Sequence, residues 1–197
     1  MPAPLEIFAS PFTVWRAAAG TAKPLDLDAA PSGSWSKIGT RGSDGYDEDG
    51  VTLSHEEALS YFRGLGKTGR LKAWRQEEDP AVDFKVYDLT AEAMAIATGN
   101  TVTSTSAGAS VSGAKSVNLA KGLTVATHAL LIRSDAGSPY GDDYKTQLWI
   151  PLAVIDSVDT IEFKKGEPAG LAFSFAILQD DTNAFGEFRA QNAVKTS

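Results

Sequence analysis

Cysteine is absent from this chain of 197 residues. That excludes a disulfide framework, a thiolate nucleophile and a Cys-ligated zinc. Histidine is scarce: His55 and His128 stand far apart, and no sharp strand–Ser–helix turn of the hydrolase kind accompanies either. Excess positive charge is missing too. Eighteen Lys and Arg face 25 Asp and Glu, for a net charge of −7. Affinity for nucleic acid by phosphate neutralisation needs a cationic face, so that balance argues against it. It is compatible with a surface past which DNA moves without sticking. Long apolar runs are lacking, so no membrane segment is expected. The opening "MPAPLEIFASPFTVWRAAAG" has no basic stretch ahead of an apolar core. We therefore expect no signal peptide, and synthesis in the cytoplasm.

What remains is a chain that folds. Hydrophobic residues make up 43% of the sequence, enough for one domain with a real core, 1–197. Period-2 patterns dominate. Val82, Phe84 and Val86 alternate with Asp83 and Lys85; Leu171, Phe173, Phe175 and Ile177 alternate with Ala172, Ser174 and Ala176. Both read as strands with one face on the core. "QLWIPLAVI" (147–155) is apolar throughout and reads as a strand buried on both faces, with Pro151 marking an edge or a bulge. Shorter strands are expected at 12–17, 128–133 and 158–163. One helix is convincing: Thr90 can cap it, Glu92 sits in its first turn, Met94 faces the core, and Gly99-Asn100 stops it. At that length it must pack on a sheet. Loops are expected at 18–45 and at 99–120, the latter nearly uncharged and rich in Thr, Ser, Ala and Gly.

The stretch 39–99 carries the strongest signal. Six carboxylates and no Lys or Arg lie between Asp44 and Glu57; five Lys or Arg and no carboxylate lie between Ala58 and Gln76. Adjacent blocks of opposite sign suit a protein whose two ends attract each other in trans. The motifs within this stretch fail on inspection. "RGLGKTG" lacks the leading glycine of a phosphate loop, with Tyr61 in its place, and reads as a basic hairpin tip. "GYDEDGVTLSHE" puts Asp47, Asp49, Gly50 and Glu56 at calcium-loop positions, but starts on Gly45 and has no flanking helices. Glu56-Glu57 and Glu77-Glu78 are ordinary solvated runs. Trp15, Trp35, Trp74 and Trp149 read as core or interface anchors. No catalytic, cofactor-binding or metal-ligating residue is assigned.

Three segments also carry a resemblance: "GSWSKIGTRGSDGYDEDGVTLSHEEALSYFRG" (33–64), "LKAWRQEEDPAVDFKVYDLTAEAMAIATGN" (71–100) and "HALLIRSDAGSPYGDDYKTQLWIPLAVIDSVDTIEFKKGEPAGLAFSFAILQD" (128–180). Their order runs from an acidic turn to a strand after "EED", a "DLT" helix opening, "SPYG" before a Trp-bearing strand, and a last alternating strand. In this the chain resembles the major tail tube proteins of long-tailed bacteriophages. The resemblance implies a mainly β, two-sheet sandwich or barrel-like fold with one short flanking helix and long loops. Residues 1–32 would form an N-terminal arm and first strand, and 46–74 a long loop packing on the adjacent ring. No immunoglobulin-like C-terminal domain is expected. It further implies a homo-oligomer of hexameric rings stacked into a hollow tube, part of the virion tail. Expected partners are a tape-measure protein, a tail tip or baseplate and a tail terminator, with DNA passing the lumen without specific binding. The inter-ring candidates are Asp47, Glu48 and Asp49 on one side, and Arg63, Lys67 and Arg70 on the other. A non-polymerising ring protein and a monomeric β-rich ligand-binding module are the alternative readings.

Overall fold

The computed structural model describes residues 10–194. Ten strands and one helix follow in order: β1 (Phe12–Ala18), β2 (Ser36–Lys37), β3 (Tyr46–Phe62), β4 (Lys72–Val86), α1 (Ala91–Thr98), β5 (Val102–Thr105), β6 (Ala114–Val117), β7 (Thr127–Ser134), β8 (Thr146–Val158), β9 (Leu171–Ile177) and β10 (Glu187–Ala190). The architecture is mainly β, with two sheets. The large one runs β2-β1-β7-β8-β9-β4-β3, with β10 also on β8; β5 and β6 form a separate ribbon. Every strand pair is antiparallel.

The large sheet curls until its two ends nearly meet. Val14 of β1 and Val82, Phe84 and Val86 of β4 lie in one buried cluster with Leu130, Ile150, Phe173 and Phe175. Tyr46, which opens β3, stacks on Phe84 at 5.6 Å, and its hydroxyl crosses the gap between the sheet ends. The hydroxyl donates to the Ile38 carbonyl at 2.8 Å and accepts the Val14 N–H at 3.1 Å. Burial pushes this phenol's pKa well above its ordinary value. The link is a side chain, not a strand pairing, and among the described residues the sheet is not closed into a barrel.

β8 is the central strand. β7 pairs along one edge; β9 and β10 share the other, β10 at 146–149 and β9 at 153–158. Pro151 sits at a bulge, where the register slips between His128 and Leu130. Its carbonyl still accepts the Gly20 N–H at 3.0 Å, so a residue without a ladder donor is tolerated mid-sheet. The outer face of β7 and β8 is covered by irregular chain from 19–35. Arg133, 4% exposed, binds the Gln147 side chain and the carbonyls of Asp26 and Ala29. Trp35, Trp149, Leu131 and Ala129 pack beneath, with Trp15 alongside. Between β9 and β10 the chain passes through Gly186 at φ 131°, where a Cβ would lie 2.2 Å from the Trp149 carbonyl oxygen, so only glycine fits.

α1 matches its sequence signals. Thr90 Oγ1 accepts the Ala93 N–H at 3.2 Å. Gly99, at φ 71°, donates to Ile96, and Asn100 donates to Ala95, closing the end in a Schellman motif. Met94 is half-buried against the core.

Three expectations change. Residues 99–120 contain the β5–β6 ribbon in place of a plain loop, held at its base by the Asn100 amide donating to the carbonyls of Asn118 and Ala120. No strand covers 158–163: β8 ends at Val158, and Asp159 turns the chain by accepting the Thr160 N–H. The segment 46–74 is a β-hairpin, not a long loop, with thirteen cross-strand pairs from Tyr46↔Val86 to Phe62↔Lys72. Val51, Thr52, Tyr61, Phe62 and Trp74, residues of high strand propensity among the charged blocks, supply its strand character.

Candidate interaction surface

The β3–β4 hairpin is rooted in the sheet over half its length only. β4 pairs with β9 from Ala81 to Val86, and there its burial alternates. Residues 72–77 have lost that alternation and are all exposed. At about 3.3 Å per residue, the unsupported part projects about 25–30 Å beyond the sheet. Its turn, 63–71, is closed by Leu71 N–H to Phe62 O at 2.8 Å and Lys67 N–H to Gly64 O at 3.0 Å.

This arm is apolar where solvent meets it. Phe62 is 53% and Trp74 45% exposed, and Leu65 at the turn is fully exposed. Leu59, Tyr61 and Leu71 are exposed too. By register, Leu59 and Tyr61 share one face, while Phe62 and Trp74 share the other. A cluster of large apolar groups on an unsupported ribbon marks an interaction surface. The sequence reading named Trp74 as a core or interface anchor but missed Leu59, Tyr61, Phe62, Leu65 and Leu71. Only their crowding around a basic turn could have signalled them.

The six charged candidates fall at opposite ends of this hairpin. Asp47, Glu48 and Asp49 lie at its root, in an irregular step of β3 between Tyr46↔Val86 and Val51↔Phe84 where Gly50 takes φ 70°. Asp47 is already engaged within the subunit. The Tyr87 hydroxyl donates to it and Lys85 lies 3.8 Å away, and these contacts hold its carboxyl below the usual range, the Tyr87 bond foremost. Arg63, Lys67 and Arg70 lie in the turn, and the Arg70 guanidinium stacks 3.6 Å from the Tyr61 ring centroid. Near the root, β3, β4, β8 and β9 border an open cleft of about 570 Å³, with Asp47, Asp49, Asp83 and Asp159 on its walls and Lys85 as its one basic group. Thus one end of the hairpin is acidic and recessed; the other is basic, apolar and projecting.

Midway along the arm lies a fourth group. Glu57 and Glu78 stand directly opposite each other, and His55 Nε2 is 2.8 Å from Glu78 Oε1. Arg75 bonds both carboxylates, Glu57 at 3.1 and 3.2 Å and Glu78 at 3.4 Å. The register slips between Ala58 and Leu59, leaving Gln76 unpaired and turning Arg75 onto the carboxylates' face.

A sequence profile of phage tail tube proteins matches residues 6–195 of the chain. The chain belongs to the phage tail tube protein family. Its fold and its projecting hairpin are therefore those of a virion tail component from a structural family. No curated protein matches this tail tube protein. Among its described residues no helix is long and apolar enough to cross a membrane.

Proposed function

We propose that this tail tube protein assembles into rings, hexameric as the family resemblance implies, that stack into the hollow tube through which the phage genome leaves. The observation that carries this reading is the arm: a hairpin reaching well past its own sheet, with its apolar side chains in solvent. Burying Phe62, Leu65 and Trp74 on a neighbour would each contribute about 1.5–3 kcal/mol before ordering costs. The basic turn of one ring would meet the acidic cleft of the next. Arg63, Lys67 and Arg70 then face Glu48, Asp49, Asp83 and Asp159 of another copy, and charge sets the register. Such a contact is head-to-tail and propagates into a filament. The outer edge of β3, one end of the large sheet, suits lateral pairing around a ring, which would cover that edge. The tube would grow from a tail tip around a tape-measure protein and stop at a terminator. Subunits are made in the host cytoplasm, and an acidic surface lets DNA slide without binding.

Negative-stain imaging of the concentrated protein, alone and with a tail-tip complex, tests the reading. Tubes or stacked rings are expected from the intact chain. None are expected from a chain whose residues 63–71 are replaced by Asn-Gly, a two-residue turn that closes the same hairpin. Full-length tubes from that variant would overturn the role of the arm. Light scattering from the intact chain that stays monomeric at every concentration would overturn assembly itself.

A further inference from the structure

We propose that the shaft of the β3–β4 arm carries a binding site for a divalent transition metal of the zinc class, made by His55, Glu57 and Glu78. The three side chains project from one face of an antiparallel ribbon. His55 and Glu57 are two apart on β3, and Glu78 faces Glu57 from β4. One donor atom from each lies within 4.8 Å of the other two, so small side-chain rotations bring all three to the roughly 2.0–2.2 Å that zinc requires. Nitrogen plus two carboxylate oxygens is a borderline donor set; it suits zinc, nickel or cobalt better than calcium or magnesium, which take oxygen alone. The imidazole is held in place from outside the set, since the Phe185 ring meets it edge-on at 6.3 Å.

Arg75 is the resident competitor. Two carboxylates directly opposite each other repel, and its guanidinium answers them only in part. With a neutral imidazole the group of four keeps one net negative charge, whereas a divalent ion in place of Arg75 would neutralise the carboxylates completely. The Arg75 pairs are half-exposed, and exposed pairs of this kind contribute about 0–1 kcal/mol each, so displacing the guanidinium is cheap. The metal ties β3 to β4 where no third strand supports them. The site is independent of ring stacking and holds for the single subunit.

The composition makes the test clean. The chain has no cysteine and only two histidines, and His128 is buried. Zinc chloride is titrated into the full-length, untagged, chelator-treated protein, followed by calorimetry and by NMR of the two imidazole rings. Saturation at one ion per chain is expected, with the His55 ring shifting and the His128 ring still. His55→Ala should lower the affinity at least about tenfold, as loss of metal-site partners does. Arg75→Ala should raise it severalfold. Both positions are solvent-facing, and an unchanged thermal melt certifies each fold. The proposal is overturned by no saturable binding up to about 1 mM, by binding that survives His55→Ala, by an Arg75→Ala variant that binds more weakly, or by calcium saturating the same site equally well.

Discussion

The two halves of the β3–β4 hairpin belong to one pair of strands and one turn, yet their surroundings have nothing in common. In the rooted half, Val82, Phe84 and Val86 point into a stack of aromatic rings, with Phe84 5.4 Å from Phe173 and 5.9 Å from Phe175. In the free half, Trp74 and Phe62 lie on water. The rooted half is held by a third strand and a core; the free half by its partner strand, the pairs around Arg75 and, at its base, the Phe185 ring against His55. A two-stranded ribbon on its own is marginal in water. The contrast separates two uses of apolar residues: in the root they specify the fold, and on the arm they are available to another chain.

The contrast is broken most forcefully in the root. Phe84→Ala should cost about 3–5 kcal/mol in urea unfolding of the isolated subunit. Trp74→Ala should stay within about 0.5 kcal/mol, as for a surface change. Equal costs would mean that the arm belongs to the core after all. Next in size is assembly. Phe62→Ala with Trp74→Ala should leave the melt of the subunit unchanged and weaken stacking, seen as a raised concentration threshold for tube formation; an unchanged threshold would remove these rings from the interface. Smaller again is the charge term, since each exposed pair contributes about 0–1 kcal/mol. Arg63→Glu with Lys67→Glu and Arg70→Glu should slow or abolish tube growth while the subunit stays folded. Reversing Glu48 and Asp49 to Lys in the same chain should restore part of it. Asp47 is left alone there because Tyr87 and Lys85 already use it.

The smallest effect sharpens the comparison through a histidine of the core behind the rooted half, His128 in β7, whose ring meets Phe175 edge-on at 6.4 Å. Burial, with the Arg16 guanidinium second, holds the His128 imidazole below its ordinary value, so it is neutral in the fold. Unfolding returns it to about 6.5. Below that pH the unfolded chain binds the extra proton, so stability falls as pH drops from about 6.5 toward the folded value, and is constant above it. One proton limits the slope to about 1.4 kcal/mol per pH unit. Carboxylates such as Asp88, held low by the Thr40 hydroxyl and then its N–H, contribute only below about pH 4. Between pH 5 and 6.5, His128→Phe should therefore flatten the curve of urea midpoint against pH; a curve as steep as that of the intact chain would remove His128 as its source.

How far the sequence could be read follows the same division. Where a segment is packed, its pattern named it: β9 from its alternation, α1 from Thr90 and Gly99, β8 from its continuous apolar run with Pro151 at the bulge. Burial imposes periodicity, and periodicity is what a sequence displays. Where a segment is free, nothing imposed a pattern. Residues 46–74 look like charged loop because beyond Val51 no core demands alternation from a ribbon wet on both faces. β5, β6 and β10 were passed over for the same reason, each being four residues long. The group of His55, Glu57, Glu78 and Arg75 was hidden by register. Which side chains meet across a hairpin depends on the pairing and on the unpaired Gln76, and neither is written in the spacing of the charges.

That unpaired residue also separates where the arm points from what it carries. A bulge bends and twists the ribbon beyond it. Deleting Gln76 would leave Ala58 opposite Glu77 and Leu59 opposite Arg75, with every side chain on its present face, and would straighten the shaft. The loss of one codon could thus re-aim the arm without altering a single chemical group at its tip.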